Sequence, residues 1–512
     1  MSSDDLHYHA LSARDPRFDG LFFVGVSSTG IYCRPVCPAR LPARKNCSFY
    51  PSAAQAELAG YRACFRCRPE LSPGAALIDR TQTLVDRAVV RINAGALNEG
   101  TVADLAAGLG VGERHLRRSM SEQLGTTPVG LAQSRRLALA KQLLTDTDLG
   151  LTAIAHASGF GSVRRFNSVF QTRLGRAPSS LRARARADAA EVTAGSGPED
   201  SALGLRLDYR PPFSFKQLLG FLKPRAIPGV EHVTDDLYAR SVRAGNTVGC
   251  ILVESFPGKN ALRLSLSGSL LPSLIQVLYR ARHLFDLDAQ PEAICRSLTQ
   301  DPTLAPLCRA APGLRVPGAF DGFETSVRAL LGQQISVKGA TTLAGRLVAR
   351  FGQPLALPMT SCGARASARA SASAALTHVF PDAGELARVP LASLAAIGLP
   401  ERRAAAILAF AEAVAAGELH LGPGADPEAI ARRLLALPGV GPWTAGYIAM
   451  RALHDPDAFP HRDLVLRKVV SAPSFGALSA RAEAWRPWRA YAALHLWTAA
   501  STAAPQPSRR QI

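Results

Sequence analysis

The C-terminal half of the chain takes its fold from the stretch Leu437-Pro438-Gly439-Val440-Gly441-Pro442-Trp443-Thr444-Ala445, the signature of a helix-hairpin-helix. Gly439 and Gly441 allow the chain to turn tightly between two helices. They also leave backbone N–H groups free at the N-terminus of the second helix, where a DNA phosphate can bind. Twenty-two residues after Gly441, the run Phe459-Pro460-His461-Arg462-Asp463-Leu464 contains an acid, Asp463. The sequence therefore predicts a DNA-binding hairpin that is followed by a carboxylate.

The region around this hairpin divides into two parts. Alternating apolar residues at 207–209, 248–253 and 262–266 predict short strands within residues 204–318. Residues 319–505 are rich in Ala and Leu and predict helices. The whole region resembles the 3-methyladenine glycosylase II family. The segments that carry this resemblance are Gly220-Phe221-Leu222, Tyr238-Ala239-Arg240-Ser241, Leu284-Phe285-Asp286-Leu287, Pro312-Gly313-Leu314-Arg315-Val316-Pro317-Gly318, Ala329-Leu330-Leu331-Gly332-Gln333 and Trp485-Arg486-Pro487-Trp488-Arg489.

The resemblance implies how this region acts. Asp463 would be the catalytic carboxylate, which stabilises positive charge at C1′ of the deoxyribose and orients the attacking water. Aromatic members of the pocket would stack on a flipped-out, cationic base. Gln334 stands where family members carry an apolar wedge, and a monovalent cation is expected at the hairpin. The residues implied to bind substrate are Trp443, Tyr447, Trp497, Gln333 and Gln334.

Three activities of related repair proteins are not expected. Bifunctional glycosylases carry a Schiff-base lysine at the position of Trp443, so we predict no strand cleavage. No cluster of four cysteines follows Asp463, so we predict no iron–sulfur centre. The Pro-Cys-His-Arg site of guanine O6-alkyl transfer has no counterpart, so we predict that this transfer is missing.

Four cysteines near the N-terminus have the spacing of a metal site. Cys33 and Cys37 form one pair, and Cys64 and Cys67 form a second pair after 26 intervening residues. Four thiolates suit a tetrahedral Zn²⁺, and a domain as small as residues 1–75 needs such a cross-link. Spacing by itself favours one zinc ion with a purely structural role. Cys47 is a fifth thiol without an assigned role.

The residues around these cysteines add a second possibility. The runs Gly30-Ile31-Tyr32-Cys33-Arg34-Pro35-Val36-Cys37-Pro38-Ala39-Arg40 and Gly60-Tyr61-Arg62-Ala63-Cys64-Phe65-Arg66-Cys67-Arg68-Pro69 resemble the adaptive-response methyltransferase family. By that resemblance, Cys33 is both a zinc ligand and the acceptor of a methyl group from a DNA methylphosphotriester. Loss of one thiolate charge there would strengthen DNA binding. Arg34 is expected to contact phosphates.

Residues 80–186 predict a run of helices. Thr101 and Asp104 form a capping-box pattern, and a similar helix-turn-helix plan recurs from Thr152. The pair of units resembles the AraC-type DNA-binding domain, whose signature is present from Gly159 to Phe170. Phe160, Phe166 and Phe170 are interpreted as core residues. The candidates for contact with the DNA grooves are Arg114, Arg117, Arg118, Arg164, Arg165 and Asn167.

The chain as a whole is predicted to be multidomain and mainly α, with α+β parts. Its net charge of +19 favours a polyanionic partner, here alkylated and promoter double-stranded DNA. Residues 187–203 are small and polar and predict a linker, and residues 359–376, which include Cys362, predict a mobile surface loop. The chain has no apolar run of signal-peptide or membrane-spanning length. We expect a soluble, cytoplasmic, nucleoid-associated bacterial monomer, with RNA polymerase as a further partner.

Two other functions fit parts of the sequence. The chain could be mainly a transcription activator with little or no glycosylase activity, a hypothesis that Asp463 disfavours. It could also be a zinc redox sensor without methyl transfer, which the neighbourhood of Cys33 disfavours. A fused repair enzyme and regulator accounts for all segments.

Overall fold

The computed structural model describes residues 3–74, 84–183, 203–355 and 366–503. The predicted linker lies almost wholly outside these residues, as does Cys362. Among the residues described, none of the helices has the length and hydropathy needed to cross a membrane.

The first part of the chain is a small sheet with helices. Its strands are Phe23–Val26, Ile31–Cys33, Cys47–Tyr50 and Arg62–Ala63, and its helices are Ser3–Ala13 and Ala53–Leu58, with short 3-10 turns at Pro16–Phe18, Arg44–Asn46 and Pro69–Leu71. The third strand in sequence lies at one edge, followed by the first, second and fourth. Val24 pairs with Cys33, so the last residue of the second strand is held by the centre of the sheet.

The next part is wholly helical. Its helices are Leu84–Asn93, Ala96–Glu99, Val102–Gly108, Glu113–Leu124, Pro128–Asp146, Leu151–Ala157 and Val163–Leu174. The predicted capping box is confirmed, because Thr101 and Asp104 exchange side chain–backbone hydrogen bonds. Phe160, Phe166 and Phe170 are buried in contact with one another, which confirms them as core residues.

A five-stranded antiparallel sheet follows. Its strands are Gly204–Asp208, Glu231–Val233, Leu237–Ala244, Thr247–Ser255 and Ala261–Leu266. The first strand lies at one edge beside the fifth, and the others follow in reverse order to the second. Associated helices are Phe215–Leu222, Leu274–Leu284, Pro291–Leu298 and Leu304–Ala310, with 3-10 turns at Lys223–Arg225 and Gly268–Ser273.

The C-terminal part is helical, as predicted. Its helices are Gly322–Leu331, Val337–Phe351, Ala366–Ala375, Ala383–Ala387, Leu391–Ala395, Glu401–Ala415, Pro427–Ala436, Pro442–Arg451, Leu464–Val469, Phe475–Ala482 and Arg489–Ala503. A 3-10 turn spans Glu483–Trp485, and a two-stranded ladder joins Gln353–Pro354 to His378–Val379.

The prediction of a surface loop at 359–376 is wrong for the part of it that the structure describes. Residues Ala366–Ala375 form a helix, because Ala is the best helix former and Ser costs little. Ala372 and Leu376 are buried against Leu237, Ala239 and Leu252 of the five-stranded sheet. The segment therefore covers one face of that sheet.

Buried arginine side chains join the N-terminal part to the part that contains the five-stranded sheet. The Arg210 side chain is almost fully buried, and its guanidinium donates hydrogen bonds to the carbonyl oxygens of Asp19 and Asp288, at 2.9 and 2.6 Å, and to that of Gly74. Gly74 N–H donates to the Asp288 carboxylate at 2.7 Å. The cysteine-bearing domain and the five-stranded sheet are thus in direct, buried contact.

Candidate functional site

Asp463 lies in the wall of a cavity of about 590 Å³. The cavity opens between the helices Gly322–Leu331 and Pro442–Arg451 and reaches the five-stranded sheet at Glu231 and Arg240. Trp443, Tyr447 and Trp497, the aromatic residues predicted to bind the base, also line it. The structure thus brings together residues that are up to 54 positions apart in sequence.

The Asp463 carboxylate is held at both oxygens. Asp463 is the N-cap of the helix Leu464–Val469, and its Oδ1 accepts a hydrogen bond from the Leu466 N–H at 2.9 Å. Its Oδ2 accepts from the Trp443 Nε1–H, also at 2.9 Å. Asp463 is only 9% exposed. The carboxylate is therefore oriented before any substrate enters.

The aromatic side chains form a stacked wall. Trp443 and Tyr447 are one helical turn apart, and their rings stack with centroids 5.2 Å apart and planes 12° apart. Trp497 lies 6.2 Å from the Tyr447 ring at a tilt of 53°. Flat faces in this arrangement suit an aromatic heterocycle that leaves the DNA stack.

The hairpin is braced by Gln333. Gly439 has φ of +78°, and a Cβ there would lie 2.8 Å from the Ala406 side chain. The Gln333 Nε2 donates to the Gly439 carbonyl and to the Thr444 hydroxyl, both at 2.9 Å. Arg403 donates to the Gln333 carbonyl at 2.7 Å. The predicted contact of Gln333 with substrate is therefore revised, because its amide is engaged in holding the hairpin.

Gln334 projects from the loop beside the cavity. It is exposed and has a left-handed φ of +58°, which is costly for a residue with a side chain. Its neighbours Ile335 and Val337 line the cavity and are 38% and 41% exposed. A strained residue flanked by exposed apolar side chains is typical of a functional loop.

The four predicted metal ligands are adjacent. The sulfur atoms of Cys33, Cys37, Cys64 and Cys67 all lie within 4.8 Å of one another. The backbone N–H groups of Arg34 and Arg66 approach two of these sulfurs, at 3.3 Å from Cys67 and 3.4 Å from Cys64, which favours thiolates. The donor set fits Zn²⁺, which prefers four sulfur ligands in a compact tetrahedron.

Cys33 differs from the other three ligands in its exposure. It is half-buried at the end of the strand Ile31–Cys33, whereas the other three cysteines are buried. A cavity of about 170 Å³, lined mainly by apolar side chains such as Val24 and Ile31, reaches Cys33 and also Cys37 and Cys64. Exposure alone therefore distinguishes Cys33, which is the most exposed of the four ligands.

The prediction that Arg34 contacts DNA phosphates disagrees with the structure. Arg34 is 5% exposed. Its Nε donates to Asp19 at 2.8 Å, and its Nη2 donates to Asp208 at 3.0 Å. The sequence could not reveal this role, because Asp208 is 174 residues away. Arg34 joins the cysteine domain to the five-stranded sheet instead.

The predicted groove-contacting residues lie on two similar helices. Arg114 and Arg118 on Glu113–Leu124, and Arg164 and Arg165 on Val163–Leu174, are exposed. Asn167 is also exposed, while Arg117 is half-buried and ion-paired with Glu113. Both helices therefore present cationic side chains to solvent.

Sequence reasoning missed the arginines of the Asp463 cavity. Arg225, Arg240, Arg328 and Arg451 all line it. The position of Arg451, one helical turn after Tyr447, could have indicated that it lines the same cavity, because residues four apart share one helix face. The other three arginines come from distant segments, and no local pattern marks them.

Comparison with known families assigns the chain to four conserved domains. Residues 7–70 match the metal binding domain of Ada, and residues 105–184 match a helix-turn-helix domain. Residues 204–321 match the AlkA N-terminal domain, and residues 327–478 match the HhH-GPD superfamily of base excision DNA repair proteins.

Curated relatives cover nearly the whole chain or one half of it. A probable bifunctional transcriptional activator/DNA repair enzyme AlkA of Mycobacterium tuberculosis is 41% identical over 499 residues, with 96% of this chain and 95% of the relative covered. The DNA-3-methyladenine glycosylase 2 of Escherichia coli is 34% identical, covering 57% of this chain and 95% of the relative. The bifunctional transcriptional activator/DNA repair enzyme AdaA of Bacillus subtilis is 29% identical, covering 35% of this chain and 82% of the relative. The chain belongs to the family of bifunctional transcriptional activator/DNA repair enzymes.

Proposed function

We propose that this chain repairs alkylated DNA at two separate sites and regulates that repair by binding DNA. Asp463 serves the release of alkylated bases of the 3-methyladenine type, and Cys33 takes up methyl groups from DNA methylphosphotriesters. The observation that carries the first role is the carboxylate of Asp463, fixed at both oxygens beside a stacked aromatic wall.

Base release follows from the position of the carboxylate. The flipped base stacks on Trp443 and Tyr447, and the bond between C1′ and the base nitrogen breaks as its electron pair moves to the base. The Asp463 carboxylate stabilises the positive charge that develops on the sugar. A water molecule oriented by the same carboxylate then attacks C1′ and loses its proton. The absence of a lysine at Trp443 supports hydrolysis without strand cleavage.

Methyl transfer follows from the exposure of Cys33. Zinc held by Cys33, Cys37, Cys64 and Cys67 would keep these sulfurs deprotonated at neutral pH. The Cys33 sulfur attacks the methyl carbon of a neutral phosphotriester, the carbon–oxygen bond breaks, and an ordinary phosphodiester leaves. The sulfur becomes a thioether, so the site loses one negative charge and repels DNA less.

DNA binding is assigned to three surfaces. Arg114, Arg118, Arg164, Arg165 and Asn167 contact the grooves of promoter DNA, with Arg117 in a supporting ion pair. The N–H groups near Gly439 and Gly441 contact a phosphate, with a monovalent cation bound at the same hairpin. We further propose that the protein acts as a cytoplasmic, nucleoid-associated monomer that engages RNA polymerase when it activates transcription.

One experiment tests both chemical roles. Purified protein is incubated with DNA that carries labelled methyl groups, and the label is followed in protein and in released bases. We expect label in both pools for the unchanged protein. Asp463→Asn should stop base release and keep methyl uptake, and Cys33→Ser should do the reverse.

The outcomes separate the two assignments. Base release at the normal rate by Asp463→Asn would remove Asp463 from the catalytic role. Label on another cysteine in Cys33→Ser would move the acceptor elsewhere. Label in neither pool of the unchanged protein would leave a DNA-binding regulator without repair activity.

A further inference from the structure

Two cysteines outside the zinc set face one another in the C-terminal half of the chain. Cys295 lies on the helix Pro291–Leu298, and Cys308 lies on the next helix, Leu304–Ala310. The Cys295 thiol donates a hydrogen bond to the Cys308 carbonyl, with 3.6 Å between sulfur and oxygen. The two thiols are also hydrogen-bonded to each other. Both side chains therefore point into the same contact between the two helices.

The two thiols differ in their access to solvent. Cys295 is half-buried, whereas Cys308 is 0% exposed. Cys308 belongs to an apolar cluster with Ile294, Leu298 and Leu304, and Cys295 packs against the edge of that cluster. A small solute can thus reach the Cys295 sulfur, while the Cys308 sulfur is shielded behind it.

The surroundings of Cys295 favour its thiolate. The hydrogen bond with the Cys308 thiol lowers the pKa of Cys295 to about 7, against the effects of burial and of the Glu292 charge. An ordinary cysteine thiol has a pKa of about 8.5. Because the thiolate is the nucleophile, and a thiol with a pKa near the ambient pH attacks best, Cys295 is suited to react at neutral pH.

We propose that Cys295 and Cys308 are a redox modification site, which a hydroperoxide converts into a reversible disulfide. Side chains that already point at one another meet the orientation that a disulfide requires. Neither cysteine lines the Asp463 cavity or belongs to the zinc set. The modification is therefore separate from both proposed repair reactions.

The oxidation takes place in two steps. The Cys295 thiolate attacks one oxygen of the hydroperoxide, so a sulfur–oxygen bond forms and the oxygen–oxygen bond breaks. The other oxygen takes up a proton and leaves as an alcohol, or as water when the oxidant is hydrogen peroxide. The Cys308 sulfur then attacks the sulfenic acid on Cys295, and hydroxide leaves with the Cys308 proton as water. Two thiols are oxidised, one hydroperoxide is reduced, and a dithiol reverses the change by exchange.

The disulfide closes a short loop, residues 296–307, between the two helices. This loop contains Asp301, whose carboxylate accepts a hydrogen bond from the Trp485 Nε1–H at 2.8 Å. A cross-link around a loop of this length reduces the freedom of the unfolded chain. We expect the oxidised protein to have a midpoint of thermal unfolding higher by at least about 4 °C.

Peptide mapping tests the proposal directly. Trypsin cuts after Arg282, Arg296 and Arg309, so residues 283–296 and 297–309 form two peptides with one cysteine each. Full-length protein with zinc bound is treated with hydrogen peroxide, and the remaining thiols are blocked with N-ethylmaleimide. Mass spectrometry measures the linked pair of peptides before and after treatment with dithiothreitol. Zinc release is followed in the same samples, because the zinc thiolates can also be oxidised.

We expect the linked pair to appear before zinc is released and to disappear with dithiothreitol. Cys308→Ala should stop at a sulfenic acid on Cys295, which dimedone traps. Cys295→Ser should leave Cys308 unmodified, because Cys308 is buried. Cys250→Ala, which removes a buried thiol from the five-stranded sheet, is the matched control and should form the linked pair normally.

Two results overturn the inference. One is the absence of the linked pair in the unchanged protein at peroxide concentrations that already release zinc, a result that does not depend on how any variant folds. The other is equal oxidation of Cys308 in the unchanged protein and in Cys295→Ser, which would show that Cys295 is not the point of attack. A cooperative thermal transition shows that each reduced variant is folded.

Discussion

Trp443 contacts both Tyr447 in the aromatic wall and Asp463, the proposed catalytic carboxylate. Its ring stacks on Tyr447, and its Nε1–H donates to Asp463 at 2.9 Å. At this single residue, the proposed stacking of the base and the orientation of the carboxylate are joined. A substitution that keeps the ring and removes the donor can separate them.

Trp443→Phe is predicted to slow base release by about 10-fold or more, because it leaves a buried carboxylate oxygen without its donor, at a cost of about 1–3 kcal/mol. Affinity for abasic DNA should change little, since the stack on Tyr447 is kept. Trp497→Phe is the control, because the only ring contact of Trp497 given by the described residues is with Tyr447. An unchanged single-turnover rate for Trp443→Phe would argue against orientation of Asp463 through the indole.

A second residue, His495, makes the stability of the C-terminal helices depend on pH. His495 lies in the core of the helix Arg489–Ala503, and burial lowers the pKa of its imidazole to about 4. The unfolded imidazole has a pKa of about 6.5. Between these values the unfolded chain binds a proton that the folded chain does not. Stability is therefore lost as pH falls from about 6.5 to about 4, by up to about 3 kcal/mol.

His495→Gln is predicted to weaken this dependence. The fall in the urea midpoint between pH 7.5 and pH 5 should be smaller in the variant than in the unchanged protein, because the variant has no imidazole to protonate. Denaturation followed by circular dichroism at both pH values checks this. The same fall in both proteins would assign the acid sensitivity to other groups, such as His283, whose pKa is also lowered by burial.

At the scale of elements, the loop between the helices Gly322–Leu331 and Val337–Phe351 carries Gln334 at the position where the resembled family has its wedge. Gln334 has a left-handed φ there, and the loop is anchored through Gln333 and Arg403. A strained residue on an anchored loop lowers the stability of the fold. A side chain that fills the space left by a flipped base would account for the presence of such a strained residue here.

Gln334→Gly is predicted to leave the free energy of unfolding within about 1 kcal/mol, because relief of strain offsets the added freedom of the unfolded chain. Base release should nevertheless fall, since nothing then fills the gap in the stack. Gln334→Ala should lose release equally and be less stable than the glycine variant, because alanine keeps the strain. Chemical denaturation and single-turnover release measure both quantities, and normal release by either variant would exclude the wedge role.

Elements with strong local patterns could be predicted from the sequence, and those fixed by distant contacts could not. The hairpin, the capping box at Thr101 and the four-cysteine cluster depend on residues close in sequence. The strand Leu237–Ala244 is buried on both faces over most of its length, so it lacks the alternation that reveals a half-buried strand. The helix Ala366–Ala375 was missed because its composition also suits a loop.

Dependence on distant contacts also explains why the sequence predicted the wrong roles for some residues of the candidate site. Asp463 and its aromatic neighbours could be named from the sequence because the residues around the hairpin resemble the 3-methyladenine glycosylase II family. It could not show that Gln333 holds the hairpin or that Arg34 is buried, because both roles depend on partners more than 100 residues away. Arg225, Arg240 and Arg328 of the cavity belong to the same class, because they come from segments distant in sequence from the hairpin.

At the scale of the whole molecule, the cysteine domain and the glycosylase domain share buried polar contacts. Arg34 reaches Asp208, and Arg210 reaches the carbonyls of Asp19, Gly74 and Asp288. Groups buried in this way are costly to separate, because each loses its partners in a region that excludes water. The two halves should therefore unfold together.

Arg210→Met is predicted to split a single calorimetric transition into two, since it leaves several buried carbonyls without a donor, each at about 1–3 kcal/mol. The matched control is Lys223→Met, which removes an equal charge from an exposed ion pair with Asp235. A single transition in both variants would indicate that apolar contacts alone join the halves.

The cysteine domain and the glycosylase domain, which meet at Arg34 and Arg210, are always present in a one-to-one ratio. Cys33 can accept one methyl group in the lifetime of the chain, whereas a hydrolytic cavity can be used again and again. Because both are parts of one polypeptide, every new copy that reports damage arrives with one further unit of catalytic capacity. A cell that carries this protein cannot change the amounts of the methyl-accepting domain and the glycosylase domain separately. The number of chains methylated at Cys33 therefore equals the number of glycosylase domains that those chains carry.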